Sequence, residues 1–166
     1  MEKARNEANR ILNELGINSI PVDPYLIADK LNCKIMKISP DELPNNFPCD
    51  KNSFAGALIK NSGDTNYILV NKTDSLRRQN FTIAHELGHL VMHVGENDEN
   101  HIDCRDSIFS NKNNELQANE FAGSLLMPVS WLESIVNEVT DDNQELASIF
   151  DVSLQALETR RNKLNI

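Results

Sequence analysis

The chain has 166 residues, of which 40% are hydrophobic and 25% are charged. This length suits a single domain with one hydrophobic core, and the composition excludes wholesale disorder. Acidic side chains outnumber basic ones by 25 to 16, so the formal charge is −9. A negative surface repels phosphate backbones, which makes nucleic acid an unlikely main partner and favours a basic protein instead.

The acidity is concentrated in one segment of the chain. Residues 81–145 contain 13 acidic side chains and two basic ones, a net charge of −11. Residues 1–80 carry 11 basic and 10 acidic side chains, and residues 146–166 carry three and two, so each flank is +1. A basic partner is therefore expected to meet the surface built by the middle segment.

Cysteine usage and the lack of an apolar run predict the compartment. Cys33, Cys49 and Cys104 are odd in number and form no C-x-x-C pair, a pattern typical of free thiols in a reducing cytosol. The N-terminus is a charged amphipathic segment without the apolar core of a signal peptide, and no 18 apolar residues run together. The sequence predicts a cytoplasmic protein without a membrane segment.

The first half of the chain is predicted to form two helices and then strands. Apolar residues recur at helical spacing from Ala4 to Leu15, and the first helix ends at Gly16. The second helix begins with Asp23 as N-cap and Pro24 at its first position. Alternating patterns then predict three strands, at residues 33–39, 53–60 and 66–71.

Helical spacing returns in the acidic segment. The next helix is predicted to begin at Asn80 or Thr82, which are good N-cap residues. A long polar connection follows over about residues 95–114. A further helix is predicted over 114–127 and ends before Pro128.

The C-terminal part is predicted to be entirely helical. The pairs Ser130/Glu133 and Asp142/Glu145 have the spacing of capping boxes, and each predicts a helix start. A short turn at 151–153 then separates two helices. The whole pattern indicates an α+β fold, with a main domain over residues 1–140 and a helix-turn-helix-like unit over 141–166 packed on it.

One motif in the predicted central helix carries chemistry. His85, Glu86 and His89 form H-E-x-x-H. Two residues four apart on a helix differ by about 40° in direction and about 6 Å in rise, so both imidazoles can converge on one ion. Glu86 points to one side, where it can reach a water on the ion and act as general base.

A catalytic zinc ion needs a third protein ligand. A histidine ten residues after the first would supply it, but residue 95 is Gly. Two carboxylates on the following helix, Glu115 and Glu120, are therefore the alternatives. We favour Glu115, because Ala118 is small enough to let the helices approach and Asn119, one turn on, can orient a ligand. Glu120 stays open as the other choice.

Three stretches of the sequence resemble a known family. They are RRQNFTIAHELGHLVMH (77–93), ELQANEFAGSLLMP (115–128) and IPVDPYLIADKLNCKIMKI (20–38). Together they resemble the ImmA/IrrE family of metallo-endopeptidases. The resemblance implies a zincin-like domain in which His85, His89 and Glu115 bind zinc, or another divalent ion, and Glu86 is the catalytic base.

The resemblance also implies a function and a partner. Members of the family are intracellular proteases that cleave or inactivate helix-turn-helix repressors. The expected activity is therefore hydrolysis of a peptide bond in an intracellular protein, most simply a basic helix-turn-helix repressor, as an anti-repressor. The cleaved bond, the activating signal and the oligomeric state are left open.

Several polar residues near the motif have no assigned role. His93 and Tyr67 are both candidates to stabilise the oxyanion, and the sequence does not choose between them. His101 and Cys104 are predicted to be ordinary loop residues. The strand at 66–71 is expected to align an extended substrate, provided that it forms an exposed edge of the sheet.

A second hypothesis makes the protein a regulator instead of an enzyme. The C-terminal helix pair would then bind DNA or a repressor, and the metal would be structural or absent. A DNA-reading helix needs cations directed toward phosphates, and this one offers only Arg160, Arg161 and Lys163, late in the helix. We therefore expect the pair to serve in packing or substrate docking.

Overall fold

The computed structural model describes residues 1–61, 65–92, 100–104 and 112–166, without the side chains of residues 101 and 103. Its helices are α1 (Glu2–Glu14), α2 (Pro24–Lys30), α3 (Leu76–Met92), α4 (Lys112–Leu126), α5 (Val129–Glu138), α6 (Asn143–Ile149) and α7 (Leu154–Leu164). Its strands are β1 (Cys33–Ile38), β2 (Phe54–Ile59), β3 (Asn66–Asn71) and β4 (His101–Cys104). Within these residues, no helix combines the length and apolar character needed to cross a bilayer.

The four strands form one mixed sheet in the order β1-β3-β2-β4. Strand β3 pairs parallel with β1 and antiparallel with β2, and β2 pairs antiparallel with β4. The predicted α+β class is confirmed. Residues 66–71 do not form an exposed edge, because the parallel β1–β3 pairing gives β3 a neighbour on each side, so the condition for aligning a substrate along this strand is not met. Among the described strands, β1 and β4 form the two edges of this sheet.

The sheet is covered on both faces where β2 runs through it. Leu58 of β2 belongs to the main core, which the helices build with the sheet. Phe54 and Ala57 belong to a smaller cluster with Leu43 and with Phe47 from the loop before β2. Strand β2 is therefore buried almost throughout, and it carries the sheet surface against which α3 packs.

Two of the three cysteines are paired, which corrects the prediction of free thiols. Cys49 and Cys104 form a disulfide with their Cα atoms 6.0 Å apart, whereas Cys33 is free and buried. The β2–β4 pairing places Cys104 opposite Phe54, and the loop before β2 returns Cys49 to the same end of the sheet. Cys104 is thus not an ordinary loop residue.

Helix α3 begins earlier than its apolar pattern predicts. The Ser75 hydroxyl accepts a hydrogen bond from the Arg78 N–H, and the Ser75 carbonyl accepts one from Gln79. Asn80 and Thr82, the predicted N-caps, therefore lie inside the helix. Helix α5 also begins before its predicted capping box, because the carbonyl of Pro128 already accepts the first helical bonds.

Other helix ends follow the predicted chemistry. Asp23 and Asp142 accept hydrogen bonds from the first turns of α2 and α6, and Ser153 accepts one from the first turn of α7. Gly16, after α1, has a φ of +67°, a left-handed conformation that favours glycine. Helices α6 and α7 follow one another across residues 150–153, as predicted for the end of the chain.

Candidate metal centre

The two histidines of H-E-x-x-H converge on the face of α3 that meets α4. Their Nε2 atoms lie 3.1 Å apart, and the ring centroids are separated by 4.7 Å. His85 and His89 are only 4% and 5% exposed. The two imidazoles are therefore held in place by the surrounding protein.

Glu115 of α4 completes the group. Its Oε2 lies 3.3 Å from His85 Nε2, and its Oε1 lies 3.5 Å from His89 Nε2. One donor atom from each of the three residues lies within 4.8 Å of the others. Of the two carboxylates that the sequence left as alternatives, the structure brings Glu115 to the histidines.

The donor set fits a tetrahedrally bound zinc ion. Zn–N and Zn–O bonds of about 2.0–2.1 Å at tetrahedral angles separate neighbouring donor atoms by about 3.3 Å. The Nε2–Nε2 separation of 3.1 Å and the 3.3 Å between His85 Nε2 and Glu115 Oε2 lie close to that value, while His89 Nε2 lies 3.5 Å from the other carboxylate oxygen, Oε1. Two neutral imidazoles and one carboxylate also form a donor set typical of catalytic zinc. These residues are thus able to hold a metal ion with a position left open for water.

Asn119 fixes the orientation of one of these ligands. Its Oδ1 lies 3.1 Å from His85 Nδ1. An amide oxygen can only accept, so Nδ1 carries the proton and donates. The neutral ring then has its lone pair on Nε2, the atom that faces Glu115.

Helices α3 and α4 approach closely because small residues meet between them. A Cβ added to Gly88 would lie 3.1 Å from the Ala118 Cα and 3.2 Å from its carbonyl oxygen. Any larger side chain at this crossing would push α4 outward and move Glu115 away from the histidines. The small size of Ala118 thus has the consequence expected from the sequence.

Glu86 points toward the sheet. It is fully buried, and a Cβ added to Gly56 of β2 would lie 3.6 Å from its Oε1 and 2.4 Å from Thr82 Cγ2. Gly56 therefore leaves the space in which α3 and the Glu86 carboxylate lie against β2. The backbone of β2 also shifts register against β4 between Phe54 and Gly56.

Glu120, the alternative ligand, has a different role. It is 2% exposed, and its Oε1 accepts a hydrogen bond of 2.8 Å from Arg160 Nη1. Arg5 of α1 and Lys163 of α7 also approach it, at 3.5 and 3.7 Å. Burial lowers the pKa of the Arg160 guanidinium, Glu120 opposes that effect, and Arg5 adds to it. Sequence reasoning missed this charge cluster, because Arg160 and Arg5 lie 40 and 115 positions from Glu120 and no local sequence pattern indicates such distant contacts.

Three other residues singled out by the sequence have different outcomes. Tyr67 lies in β3, where it pairs with Lys34 of β1 and Ile59 of β2. His93 lies outside the described residues. The backbone of His101 opens β4, contrary to the prediction of a loop, while its side chain lies outside the description. The choice of an oxyanion stabiliser therefore stays a prediction.

Comparison with known proteins gives a family and a fold. Residues 28–162 match the model of the Peptidase_M78 family, described as the IrrE N-terminal-like domain. Comparison with curated protein sequences finds no match. Among solved structures, a Mycobacterium tuberculosis transcriptional regulator is similar, with a TM-score of 0.60 and 18% identity over 95% of this chain. This chain spans 45% of that regulator, so the likeness shows a shared fold.

Proposed function

Because the chain belongs to the Peptidase_M78 family, whose match covers residues 28–162, we propose that it is a zinc-dependent endopeptidase acting on an intracellular protein. The observation that carries the proposal is the convergence of His85, His89 and Glu115 within 4.8 Å. Zinc bound there would supply a water whose pKa falls toward 7 and would polarise the peptide carbonyl.

The residues around the donor set support a hydrolytic role. Glu86 follows His85 directly on α3, and we assign it as the general base that takes a proton from the attacking water. The same carboxyl then gives that proton to the leaving amine. Asn119 holds His85 in the required tautomer, and Gly56 leaves the space for Glu86.

The sheet offers an edge for an extended substrate. Strand β2 lies against Glu86 through Gly56, and β4 is its outer neighbour. The other edge, β1, is one strand further from Glu86. We therefore propose that the substrate backbone aligns along β4, which takes the place that the sequence led us to expect for residues 66–71.

The charge distribution favours a basic substrate. Residues 81–145, which include all three metal donors and Glu86, have a net charge of −11. A DNA-binding repressor is a basic protein and belongs to the substrate class that the family resemblance implies, so we propose a helix-turn-helix repressor in the cytoplasm as the substrate. Cleavage is expected to slow as salt rises, because salt screens the attraction. A cleavage rate independent of salt would show that electrostatic attraction does not contribute to substrate recognition.

The alternative, a DNA-binding or repressor-binding regulator, has weaker support. Arg160 is buried against Glu120, and Lys163 lies beside the same carboxylate. Arg161 is paired with Asp141 and is mostly buried. The cations that a DNA-reading α7 needs are thus directed into the protein. Strong binding to operator DNA at physiological salt would favour the alternative.

The test combines metal analysis with a cleavage assay. Purified protein is expected to contain one zinc per chain, and His85→Ala is expected to lose it. Incubation with the repressor encoded beside the gene is expected to give a discrete cut that disappears in Glu86→Gln and persists in Glu133→Gln, a matched change at an exposed carboxylate of α5. A cut that persists in Glu86→Gln, or metal binding without any cut, would refute the peptidase assignment.

A further inference from the structure

A cavity of about 320 Å³ lies between α3, α4 and α7. This volume is at the lower end of the range typical of small-molecule sites. None of the three metal donors lines it, so it is separate from the metal centre. Its walls include Arg78 and Phe81 of α3, Gly123 of α4, Met127 directly after α4, and Arg160 and Lys163 of α7.

Positive charge is in excess at this cavity. Of the described residues that line it, Arg78, Arg160 and Lys163 are cationic, and Glu120 is the one acidic side chain. Arg5 adds a further cation 3.5 Å from Glu120. One buried carboxylate therefore faces a group of cations that it cannot neutralise, in a protein whose net charge is −9.

The guanidinium of Arg160 has a donor that the protein does not use. Its Nη1 donates to Glu120 and its Nε donates to the carbonyl of Met127. Its Nη2 is buried and has no hydrogen-bond partner among the described residues. A buried donor without a partner costs about 1–3 kcal/mol, so the charge of this guanidinium is incompletely satisfied among the described residues. Arg160 is 97% buried, since only 3% of it is exposed.

From these observations we infer that the cavity is a binding site for a small anion, a phosphate or carboxylate group carried on an apolar body. The anionic group lies against Lys163 and Arg78, where it balances the excess positive charge to which the buried Arg160 contributes. Phe81, Met127 and the exposed Leu116 provide the apolar wall for the body of the ligand.

The site borders the metal centre through one residue. Asn119 lines the cavity, and its Oδ1 accepts the hydrogen bond from His85. Binding of the anion does not depend on peptidase activity, because none of the residues that hold it is a metal donor or Glu86. Failure of the peptidase proposal would therefore leave the anion-binding proposal untouched, and the reverse also holds.

Binding is tested with simple probes on the full chain. Phenyl phosphate, benzoate, inorganic phosphate and the neutral benzyl alcohol are titrated while backbone amide signals are followed by NMR. We expect saturable shifts at Gly123, Ala156 and Thr159 with phenyl phosphate or benzoate, and weaker ones with inorganic phosphate. The ratio of the first two affinities distinguishes phosphate from carboxylate recognition.

Charge-reversal variants locate the site. Lys163→Glu and Arg78→Glu are each expected to weaken anion binding by about tenfold or more. Lys34→Glu, a matched change at an exposed lysine of β1, is expected to leave it unchanged. Arg78→Glu decides the question if Lys163→Glu disturbs the fold. Equal binding of benzyl alcohol, shifts elsewhere in the protein, unaltered binding in both variants, or no saturation up to about 10 mM would overturn the inference.

Discussion

Replacing Glu120 by glutamine removes the carboxylate that Arg160 contacts inside the protein. Arg160 and Glu120 are 3% and 2% exposed, so water cannot take over the lost interaction. Breaking a buried ion pair by removing one partner costs about 3–5 kcal/mol. Arg5 and Lys163 are more than a third exposed, so their share is small and we expect about 3 kcal/mol in total. For a chain of this length, that loss lowers the Tm by about 6–12 °C.

The measurement compares two carboxylates on one helix. Thermal and urea unfolding are followed by circular dichroism in the presence of EDTA, and metal content is measured in parallel. Glu120→Gln is expected to lose stability but to keep one metal per chain. Glu115→Gln is expected to change the metal-free stability by no more than about 1 kcal/mol and to lose the metal. Loss of metal in a folded Glu120→Gln, or destabilisation below about 1 kcal/mol, would refute the reasoning.

Four further predictions concern the described contacts. Asn119→Ala frees the ring of His85 and is expected to weaken metal binding by about 10–100-fold in a chelator competition, with little change in the unfolding curve. Gly56→Ala places a Cβ 2.4 Å from Thr82 Cγ2. The variant is expected to lose about 1–3 kcal/mol of unfolding free energy in urea and to lower any cleavage rate. A stability equal to that of the wild type would contradict this prediction. Burial raises the pKa of the Cys33 thiol to about 11, so iodoacetamide at pH 8 is expected to modify this thiol only after unfolding. Because the folded protein favours the neutral thiol, its contribution to the free energy of unfolding is expected to fall as pH rises from 9.0 through 11. A thiol assay in denaturant is expected to find one thiol per chain before reduction and three after it.

Features set by local chemistry could be predicted from the sequence. Asp23 before Pro24 predicts the start of α2. The Asp23 side chain accepts hydrogen bonds from N–H groups of the first turn, and Pro24 has no N–H that needs a partner. The pair His85 and His89 lies on one helix face for purely geometric reasons, and the apolar spacing around it predicts that helix. The small size of Ala118 correctly indicated that α4 approaches α3.

Features set by distant parts of the chain could not be predicted. Strand β4 has four residues in a polar segment, and only its pairing with β2 makes it a strand. The interior position of β3 follows from the parallel pairing with β1, which alternation within one strand does not reveal. Cys49 and Cys104 are 55 residues apart, and Glu120 is paired with cations from both flanking segments. The first turn of α3 was missed because Leu76 is exposed and lies outside the apolar stripe.

The distances in sequence also set an order in which the parts of the molecule can assemble. Asn119 meets His85 across 34 residues, whereas Arg5 meets Glu120 across 115. Closing the longer loop in an unfolded chain costs about 1 kcal/mol more. The α3–α4 pair is therefore expected to form first during folding, and the outer helices dock onto it afterwards. A metal ion captured by the early helix pair would then speed folding as well as stabilise the product, because it joins two segments before the ends of the chain arrive.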